Sequence, residues 1–469
     1  MNPDSDTTLR RELQTWDRAT LERFQLDRVN QLLETVLRDN AFYREHYRTD
    51  RLQLSSLAEL SRLPMMSKAD WINNDPTGIA KHHSYGIDQY RRYHRTSGTR
   101  GRPMVIMDTE SDWQWWVSTW QYVLDACQIT RHDRVLMAFS FGPFIGFWSA
   151  HDACLNRQCM VIPSGGMSTM ARLELIESSR PTVLFSTPSY AIHLGQAAEK
   201  HGMSLRDSSI RCVFVAGEPG GSVPSIRSSI ETMYGAEVMD HVGATEIGPW
   251  GFGSSDGHFM HVIESEFIAE YLSVDLSNAQ RDTLRGLIPN HASIPVDAAS
   301  HVSELVLTSL GRVGAPVLRY RTGDLVCPII DRSGADRSGA DRSTGVARTG
   351  DSAKVASAGP NAESCFVRLA GGVLGRADDM IVVRGVNVFP SSVEAILREF
   401  PEVGEYRLIL LRNGALDELR LEVEDGKHDP TRIAQRLLLQ LQLRVDVVDI
   451  PEGTLPKSEG KSRRMVDRR

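Results

Sequence analysis

The stretch RCVFVAGEPGGSVPSIRSSIETMYGAEVMDHVGATE (211–246) contains one complete strand–helix–strand unit. CVFVA and EVMDHV are short apolar runs typical of buried strands, and SIRSSIETMYG between them has the apolar spacing and closing glycine of a helix. Each strand runs into a polar loop, AGEPGG (216–221) and GATE (243–246). The pattern predicts two parallel strands with both loops at the carboxyl edge of the sheet, where ligands bind.

The same alternation begins near residue 130. Strands are predicted in VLMAFS, CMVIPSGG and TVLFSTPS, and helices in ARLELIESSR and YAIHLGQAAEKHG. Strands that alternate with helices of about 10–15 residues indicate βαβ units and a mainly parallel sheet. We therefore expect an α/β protein whose large N-terminal domain is built of βαβ layers.

The N-terminal segment is expected to be helical. From Leu9 to about Tyr47, apolar residues recur at helical spacing and predict one long helix or two consecutive ones. In LPMMSKADW, Ser67 is the predicted N-cap of a further helix. Residues 1–90 thus form a predicted helical region of the large domain, whose nucleotide-binding part covers residues 91–374.

Residues 331–364 interrupt the pattern. The repeat DRSGADRSGADRS and the run after it have almost no apolar periodicity and predict a disordered insertion. Residues 375–469 predict a small, mobile α+β domain with strands in MIVVRG, RLILLR, ELRLEVE and a final DVVDI, a turn in NVFP, and helices in SSVEAILREF and TRIAQRLLLQLQL. Ser391 and Glu394 are the predicted capping box of the first of these helices.

Composition and charge narrow the functional classes. The 469 residues are 41% hydrophobic and 24% charged, and the net charge is −7. Neither nucleic acid nor a membrane is therefore expected as a partner. The six cysteines are scattered and predict reduced thiols. Since we find neither a signal peptide nor an apolar run long enough for a membrane span, we expect a cytoplasmic protein.

A loop rich in glycine and hydroxyl groups lies in YHRTSGTRGRP. It suits a phosphate, because backbone N–H groups and hydroxyls can donate hydrogen bonds to an anion. Its members are Thr96, Ser97, Gly98, Thr99 and Gly101. It is not the P-loop of nucleoside triphosphatases, because Arg102 and Pro103 stand where that motif needs Lys and Ser or Thr. Alone, such a turn is more often a solvated loop.

Four further motifs follow in order along the chain. Glu246 of GATE is a single carboxylate after a strand, a natural ligand for a Mg²⁺ ion that keeps most of its waters. Asp324 of YRTGD could accept hydrogen bonds from two ribose hydroxyls. GRADDMIVVRGVNVFP comes next, and LPKSEGKSRRMVD places Lys461 on a glycine-flanked tail that we expect to be mobile.

These five elements in this order resemble the adenylate-forming superfamily of acyl-CoA synthetases, peptide-synthetase adenylation domains and luciferases. FVAGEPGG, MIVVRGVNVFPSSVE and LPKSEGK are similar to the phenylacetate–CoA ligase branch in particular. The resemblance runs from about residue 20 to the C-terminus, without the insertion. It implies ATP-dependent adenylation of a carboxylic acid, of aryl or arylacetic type such as phenylacetate, and acyl transfer to coenzyme A with release of AMP and pyrophosphate.

The resemblance implies nucleotide-binding roles for the matching residues of the large domain. The loop from Thr96 to Gly101 holds the β- and γ-phosphates, Glu246 binds Mg²⁺ and Thr245 approaches the α-phosphate. Three residues flank the adenine: Gly217, Glu218 and Pro219. Asp324, with help from Arg376, holds the ribose.

The resemblance also implies roles near the C-terminus. Lys461 reaches the carboxylate and the α-phosphate oxygens during adenylation. Asp378 is the hinge about which the small domain swings, and Gly385 lines the channel for the pantetheine thiol. A hinge is needed because the lysine must leave before a thiol can enter.

The acid pocket is predicted in FSFGPFIGFW (139–148), the region that shapes the acyl site of the family. An aromatic lining favours a planar aryl or arylacetic acid. The lining residues would be Phe139, Phe141, Phe144 and Phe147, with Trp148 beside them. Packing in the core explains these residues equally well. For the tryptophans at helical spacing, core packing is the expected role: Trp113, Trp116 and Trp120.

Two other functions stay open. One is an adenylyltransferase that stops at AMP transfer, or passes the acyl group to a separate carrier protein or an amine. The other is a non-catalytic nucleotide-binding regulator, against which Lys461 speaks because a mere binder has no use for it. A homodimer would be ordinary for this branch.

Two local features qualify the site. Arg100 stands where the family's phosphate loops usually carry a small hydroxylated residue, so it either adds a contact to the triphosphate or crowds the loop. GFGSSDGHFMH (251–261) contains no cysteine. Because His258 and His261 are the only candidate ligands nearby, we expect no zinc there.

Overall fold

The structure is a computed structural model that describes most of the chain. The described residues are 3–73, 76–96, 103–139, 142–276, 281, 284–295, 297–329, 346–348, 364–377, 381–383, 386–388, 390–413, 416–441, 443–456 and 464–468. Within them the strands form a twelve-stranded sheet, a four-stranded sheet and two two-stranded ribbons. No helix in these ranges is long and apolar enough to cross a membrane.

Three helices open the chain where the sequence predicted one or two: α1 (Pro3–Thr15), α2 (Arg18–Asp39) and α3 (Ala41–Tyr47). The breaks fall at two polar caps. The side chain of Asp17 accepts a hydrogen bond from the backbone N–H of Thr20, and that of Asn40 accepts one from Tyr43. Such caps restart a helix because they satisfy backbone N–H groups that its first turn leaves unpaired.

The predicted N-cap at Ser67 is confirmed, because Ser67 and Asp70 form a capping box at α4 (Lys68–Trp71). An antiparallel ribbon follows, made of β1 (Tyr90–Arg95) and β2 (Val105–Thr109). Helix α5 (Glu110–Ala126) comes next. The three tryptophans predicted to pack in the core are buried, at no more than 2% exposure: Trp113, Trp116 and Trp120.

Alternating strands and helices then build the parallel half of the large sheet. The strands are β3 (Arg134–Met137), β4 (Met160–Pro163), β5 (Val183–Ser186), β6 (Cys212–Ala216) and β7 (Glu237–Ala244). The helices are α6 (Ile145–Asn156), α7 (Thr169–Ser179), α8 (Pro188–Lys200) and α9 (Pro224–Tyr234). The strands pair in parallel in the order β4-β3-β5-β6-β7. This order confirms the predicted parallel sheet.

Beyond β7 the same sheet continues as an antiparallel half. Its strands are β8 (Gly248–Gly253), β9 (Phe259–Val262), β10 (Phe267–Ser273), β11 (Ser303–Ser309), β12 (Tyr320–Ile329), β13 (Val346–Arg348) and β14 (Arg368–Arg376). From β7 the order is β8-β9-β14-β12-β11-β10-β13. The edge strand β13 lies inside the segment predicted to be a disordered insertion, and it pairs with β10 instead. Residues 330–345 and 349–363 lie outside the described ranges.

One hydrophobic cluster joins the two halves. It contains residues of α2, α5 and strands from both halves, among them the buried side chains of Leu33, Phe214 and Leu305. Burial of apolar side chains is the main favourable contribution to folding. A core shared by both halves therefore holds their strands together. The carboxyl edge of the parallel half is therefore held rigidly against the antiparallel half.

The C-terminal region departs from the prediction at its start. β15 (Ile381–Val383) and β16 (Val386–Val388) form a hairpin, so the turn predicted in NVFP is wrong for Asn387 and Val388. α10 (Pro390–Leu397) begins before Ser391, which therefore lies inside the helix. The predicted capping box is wrong. Proline starts the helix well because its first turn needs no N–H donor.

The rest of this region is the α+β unit that the sequence predicted: β17 (Val403–Asn413), β18 (Leu416–Asp425), α11 (Pro430–Leu441), β19 (Asp446–Asp449) and β20 (Met465–Asp467). The sheet order is β19-β18-β17-β20. DVVDI is therefore not the final strand, since β20 follows it and runs parallel to β17. The domain boundary at residue 375 stays a prediction, and β14 carries the large sheet on to Arg376.

Candidate functional site

The loop AGEPGG leaves the end of β6 and packs tightly on its neighbours. Gly217 has a φ of +96°, which favours glycine. A Cβ at Gly221 would lie 2.6 Å from the Cβ of Asp240 on the adjacent strand β7. The loop can approach β7 this closely only without a side chain at that point, so its glycines set its path.

Glu218 lies half-buried at the centre of this loop. Its Oε1 accepts a hydrogen bond from the backbone N–H of Ser189, 2.8 Å away in the first turn of α8. Burial, together with the carboxylate of Glu394, raises the pKa of Glu218, and Arg464 opposes the rise. The adenine position predicted for Gly217, Glu218 and Pro219 therefore faces charged groups of the C-terminal unit.

Direct contacts join that unit to the large sheet. The hydroxyl of Ser225 on α9 donates to the carbonyl of Ala395 on α10 over 3.1 Å. Arg464 pairs with Glu394 at 2.5 Å and with Glu405 at 3.2 Å. Burial alone would lower the pKa of Arg464, but these carboxylates raise it, so the guanidinium stays charged beside the loop.

GATE leaves the end of β7, one strand further along the sheet. Glu246 is partly buried, and its Oε1 accepts a hydrogen bond from the phenol of Tyr320 over 3.3 Å. The ammonium of Lys68 lies 3.9 Å from the same oxygen. The carbonyl of Thr245 accepts from Arg312 over 3.1 Å. Residues of α4, β12 and the chain after β11 thus brace this loop.

Two of these bracing residues, Tyr320 and Arg312, are buried, whereas Lys68 is partly exposed. Tyr320 stacks on Trp71 with 4.3 Å between ring centroids, and Trp71 stacks on His82. Burial and the neighbouring Glu246 raise the pKa of Tyr320 far above its ordinary value, so the phenol remains a donor. Burial lowers the pKa of His82, which keeps that ring neutral. The Glu246 carboxylate therefore has a fixed hydrogen-bond donor on one side.

Arg312 connects the GATE loop with the β1–β2 ribbon. Its guanidinium is fully buried and lies 2.6 Å from the carboxylate of Asp108, whose other oxygen is 3.9 Å from Nδ1 of His94. Burial alone would raise the pKa of Asp108, but Arg312 and His94 hold it below its usual value. The sequence analysis missed this network, as it missed Lys68 and Tyr320, because the partners lie far apart in the chain.

The predicted phosphate loop begins at the end of β1. Thr96 is buried, and its hydroxyl oxygen accepts a hydrogen bond from the backbone N–H of Met104 over 3.0 Å. The backbone N–H of Thr96 donates to the carbonyl of Met104. Thr96 therefore closes the base of the loop. The remaining members lie outside the described residues: Ser97, Gly98, Thr99, Arg100 and Gly101.

Asp324 and Arg376, predicted to share the ribose, are brought together. They face each other on the adjacent strands β12 and β14, and Nη1 of Arg376 lies 3.0 Å from Oδ1 of Asp324. Tyr320, which contacts Glu246, lies on the same strand as Asp324. The described residues do not extend to Asp378, Gly385 or Lys461.

The predicted acid pocket is only partly buried. Phe139 and Phe147 meet edge to face with 5.2 Å between centroids, and Phe147 is buried. Phe144 is 49% exposed at the start of α6. Phe141 lies outside the described residues. The region therefore combines a packed pair with an exposed ring.

A second aromatic cluster, missed by the sequence analysis, lies below the GATE loop. The ring centroids of His241 and Trp120 lie 4.2 Å apart, and Phe214 stacks on Phe185 with 4.3 Å between ring centroids. Burial lowers the pKa of His241 to about 4, and its Nδ1 lies 2.8 Å from the carbonyl of Gly251. This neutral ring adds a polar edge to an otherwise apolar cluster.

Comparison with known proteins finds related sequences. A family model described as AMP-binding enzyme matches residues 94–265, and one described as AMP-binding enzyme C-terminal domain matches residues 385–469. A phenylacetate–coenzyme A ligase of Pseudomonas putida is 27% identical over 100% of this chain and 99% of its own length. One of Escherichia coli is 27% identical over 96% of this chain and 95% of its own.

The fold agrees as well. The crystal structure of a 2-hydroxyisobutyryl-CoA ligase in the postadenylation state superposes with a TM-score of 0.78 and 24% identity, covering 97% of this chain and 91% of that one. The chain therefore belongs to the adenylate-forming superfamily, with phenylacetate–coenzyme A ligases as relatives over its full length.

Proposed function

We propose that the protein is an ATP-dependent, AMP-forming acid–thiol ligase that converts a carboxylic acid into its coenzyme A thioester. One observation carries the proposal. Strand β12 holds both Tyr320, which contacts Glu246, and Asp324, which pairs with Arg376. One strand therefore carries both the residue assigned to the ribose, Asp324, and the residue that holds the carboxylate assigned to the metal, Tyr320.

Adenylation asks little covalent chemistry of the protein. A carboxylate oxygen of the acid attacks the α-phosphorus of ATP, the bond to the bridging oxygen breaks, and pyrophosphate leaves. Catalysis then consists of positioning the reactants and stabilising charge that grows on the phosphate oxygens. Thr245 is assigned to the α-phosphate, and Arg312 orients it through its carbonyl.

Glu246 fits the role of a Mg²⁺ ligand. Mg²⁺ is commonly bound through one or two carboxylates, water and phosphate oxygens. The Glu246 side chain is 14% exposed, so it remains accessible to a hydrated ion, and Tyr320 and Lys68 approach only Oε1. When bound there, Mg²⁺ would neutralise charge on the triphosphate.

The remaining assignments complete the ATP site. Asp324 accepts from the ribose hydroxyls while Arg376, whose Nη1 lies 3.0 Å from Oδ1, orients its carboxylate. The adenine lies beside Glu218. The loop from Thr96 to Gly101 holds the β- and γ-phosphates, and Lys461 reaches the α-phosphate and the acid.

Thioester formation is the second half-reaction. The thiol sulfur of coenzyme A attacks the acyl carbon, the bond to AMP breaks, and the thiol proton passes to solvent. Asp378 is assigned to the hinge and Gly385 to the thiol channel. The relatives named above are coenzyme A ligases, which favours coenzyme A over a carrier protein or an amine as the acceptor.

The acid is assigned to the aryl or arylacetic class. Two groups of aromatic side chains support this, the Phe139–Phe147 pair and the cluster around Trp120 and His241. Planar rings pack well against such surfaces. We further assign the enzyme to the cytoplasm, with a small-molecule acid as its partner and a homodimer as its assembly.

An acid screen tests the proposal. Arylacetic, benzoic and short-chain acids are each mixed with ATP and Mg²⁺, and pyrophosphate, AMP and acyl-coenzyme A are measured. We expect acid-dependent pyrophosphate release, with acyl-coenzyme A formed only when coenzyme A is added. If no acid gives pyrophosphate, the ligase function is wrong.

The variant Lys461→Ala separates chemistry from binding. Adenylation should fall by at least about a hundredfold, because a charge that stabilises the transition state is lost. ATP binding, measured by calorimetry, should change little. An adenylation rate equal to that of the parent enzyme would exclude the role assigned to this lysine.

A further inference from the structure

Three side chains that could bind a metal ion meet beside the turn between β8 and β9. They are Asp256, His258 and His291, and one donor atom of each lies within 4.8 Å of the others. Asp256 is exposed and the two histidines are half-buried. None of them belongs to the ATP site described above. The cluster therefore needs its own explanation.

We propose that Asp256, His258 and His291 form a binding site for a divalent transition metal ion of the Zn²⁺ type. The expectation of no zinc rested on His258 and His261. The structure replaces His261, which is buried in β9, with His291 from a loop more distant in the sequence. Two imidazoles and one carboxylate are a donor set that Zn²⁺ accepts, with water as the fourth ligand.

The turn between β8 and β9 holds the first two donors in place. Ser254 closes it, since its backbone N–H donates to the carbonyl of Phe259 over 2.8 Å. Oδ1 of Asp256 accepts from the hydroxyl of Ser254 and from the backbone N–H of His258. Among the described residues, both hydrogen bonds to Asp256 use Oδ1. Oδ2 is therefore the oxygen available to a metal.

The third donor comes from the loop over residues 284–295. Nδ1 of His291 lies 2.7 Å from the hydroxyl of Ser293. The same nitrogen also accepts from the backbone N–H of Ser293 over 3.2 Å. Binding of a metal through Nε2 therefore requires the tautomer with its proton on Nδ1, in which Nδ1 donates to the Ser293 hydroxyl and gives up the bond from the backbone. The rings of His291 and His258 have centroids 4.9 Å apart at an angle of 41°.

The loop is anchored independently of any metal. Leu284 and Leu287 are buried in a cluster with Phe259 and Leu374. Gly371 of β14 has a φ of +71°, and a Cβ there would lie 2.6 Å from the carbonyl of Leu287. His291 is thus delivered to the turn by apolar packing, and the site is largely formed before a metal arrives.

The distances call for a small closure. Ligand atoms around tetrahedral zinc, bound at about 2.0–2.1 Å, lie roughly 3.4 Å from one another. A bound ion would draw donor atoms that lie up to 4.8 Å apart closer together, while Oδ1 of Asp256 keeps its two hydrogen bonds in the turn. A bound ion would connect the β8–β9 turn with the 284–295 loop, next to the strand that ends at Arg376.

Charge near the turn permits a cation. Arg227 donates to the carbonyl of Ser255 in this turn, but it is paired with Glu231 at 2.8 Å. Its positive charge is therefore largely offset. Asp256 adds a negative charge directly at the site, and this charge attracts a divalent cation.

Zinc binding by the full-length, untagged protein tests the proposal. The protein is stripped with a chelator and titrated with Zn²⁺ against a zinc-binding dye, with excess Mg²⁺ present to occupy Glu246. We expect one equivalent of tightly bound zinc. His258→Ala, His291→Ala and Asp256→Asn should each weaken binding by about tenfold or more. The control His132→Ala, at an exposed histidine elsewhere, should bind as the parent does.

A second measurement guards against effects of the variants on folding. Zn²⁺ should raise the Tm of the parent and of the control, but not of the three site variants, because only binding to the folded state stabilises it. Bound Co²⁺ should give the visible absorption of a four-coordinate site. Equal zinc affinity in the parent and in His291→Ala would overturn the proposal, as would binding that only thiol blocking removes.

Discussion

The two halves of the large sheet contribute to the site in different ways. In the parallel half, β3 to β6 are each followed by a helix close in sequence, and the loops after β6 and β7 present Glu218, Thr245 and Glu246 at one edge. In the antiparallel half some pairs join strands distant in sequence, as where β14 joins β9 and β12. That half supplies Tyr320 and Asp324, and the chain beside it supplies Arg312.

The two halves therefore differ in role: the parallel half carries residues assigned to the reaction, and the antiparallel half carries residues that position them. Glu246 and Thr245 are assigned to the reacting end of ATP, while Tyr320 and Arg312 contact these residues and hold them. Asp324 and Arg376 are the exception, since they are assigned to ribose directly. Substitutions in the parallel half should therefore act on rate, and those in the antiparallel half on binding or on positioning.

The largest effect is expected at Glu246 in the parallel half. Glu246→Gln keeps an oxygen that can accept from Tyr320 but removes the charge assigned to Mg²⁺. Acid-dependent pyrophosphate release should fall by about 10²–10³-fold, with Tm unchanged within a few degrees. A fall of less than about fivefold would remove Glu246 from the metal site.

Asp324 tests the antiparallel half. A hydrogen bond between a charged group and a hydroxyl contributes about 1.5–3 kcal/mol, so Asp324→Asn should raise the KM for ATP by about tenfold or more. The kcat should change less. With 2′-deoxy-ATP the parent should lose affinity while the variant loses little further. Equal discrimination between the two nucleotides by both enzymes would contradict the ribose assignment.

Tyr320→Phe should give a smaller effect. It removes the hydroxyl that donates to Glu246 over 3.3 Å and leaves the ring stacked on Trp71. A hydrogen bond to a charged group contributes about 1.5–3 kcal/mol, but this long one only positions the carboxylate, so kcat should fall by about three- to tenfold. Tyr43→Phe is the matched control, because it removes a buried hydroxyl that donates to the carbonyl of Pro316, away from Glu246. If both variants lose activity equally, Tyr320 has no specific positioning role.

The smallest effect on activity is expected at Asp240 on β7, which should instead make the free energy of unfolding depend on pH. Burial raises the pKa of Asp240 from 3.8 to about 6, although the hydroxyl of Ser222 donates to its carboxylate. The folded state therefore binds the proton more tightly than the unfolded state. The free energy of unfolding of the parent should fall as pH rises from about 4 to about 6.

Asp240→Asn removes this titration. Relative to the variant, the parent should lose about 2–3 kcal/mol of the free energy of unfolding across that window, since each pKa unit corresponds to about 1.4 kcal/mol. Urea denaturation at a series of pH values measures the difference. A constant difference between pH 4 and pH 7 would show that Asp240 keeps an ordinary pKa in the folded protein.

The sequence predicted the parallel half well because the signals there are local. Apolar runs, closing glycines and polar loops lie within about 35 residues in 211–246, and the structure confirms the strands and the helix of that unit. The errors near the C-terminus are also local. In β16 the paired strand prevails over the turn preference of NVFP, and Pro390 starts α10 before the expected cap.

The antiparallel half could not be predicted in the same way. Nothing near Tyr320 in the sequence indicates that its hydroxyl reaches Glu246, and nothing near His291 indicates His258. Such contacts depend on strand register and on burial of the joint core, which no short motif encodes. The pairing of Asp324 with Arg376 was expected only through the family resemblance, and the structure confirms that they meet.

Helix α5 also equips the protein for optical measurements. Four of the protein's eight tryptophans lie on this helix: Trp113, Trp115, Trp116 and Trp120. All four are buried, and Trp120 lies 4.2 Å from His241, just below the GATE loop. Half of the indole emitters therefore share one helix, and one of them packs against His241 of β7, the strand that leads into the GATE loop. Quenching or a spectral shift of the intrinsic fluorescence would then report an arriving acid without an attached dye.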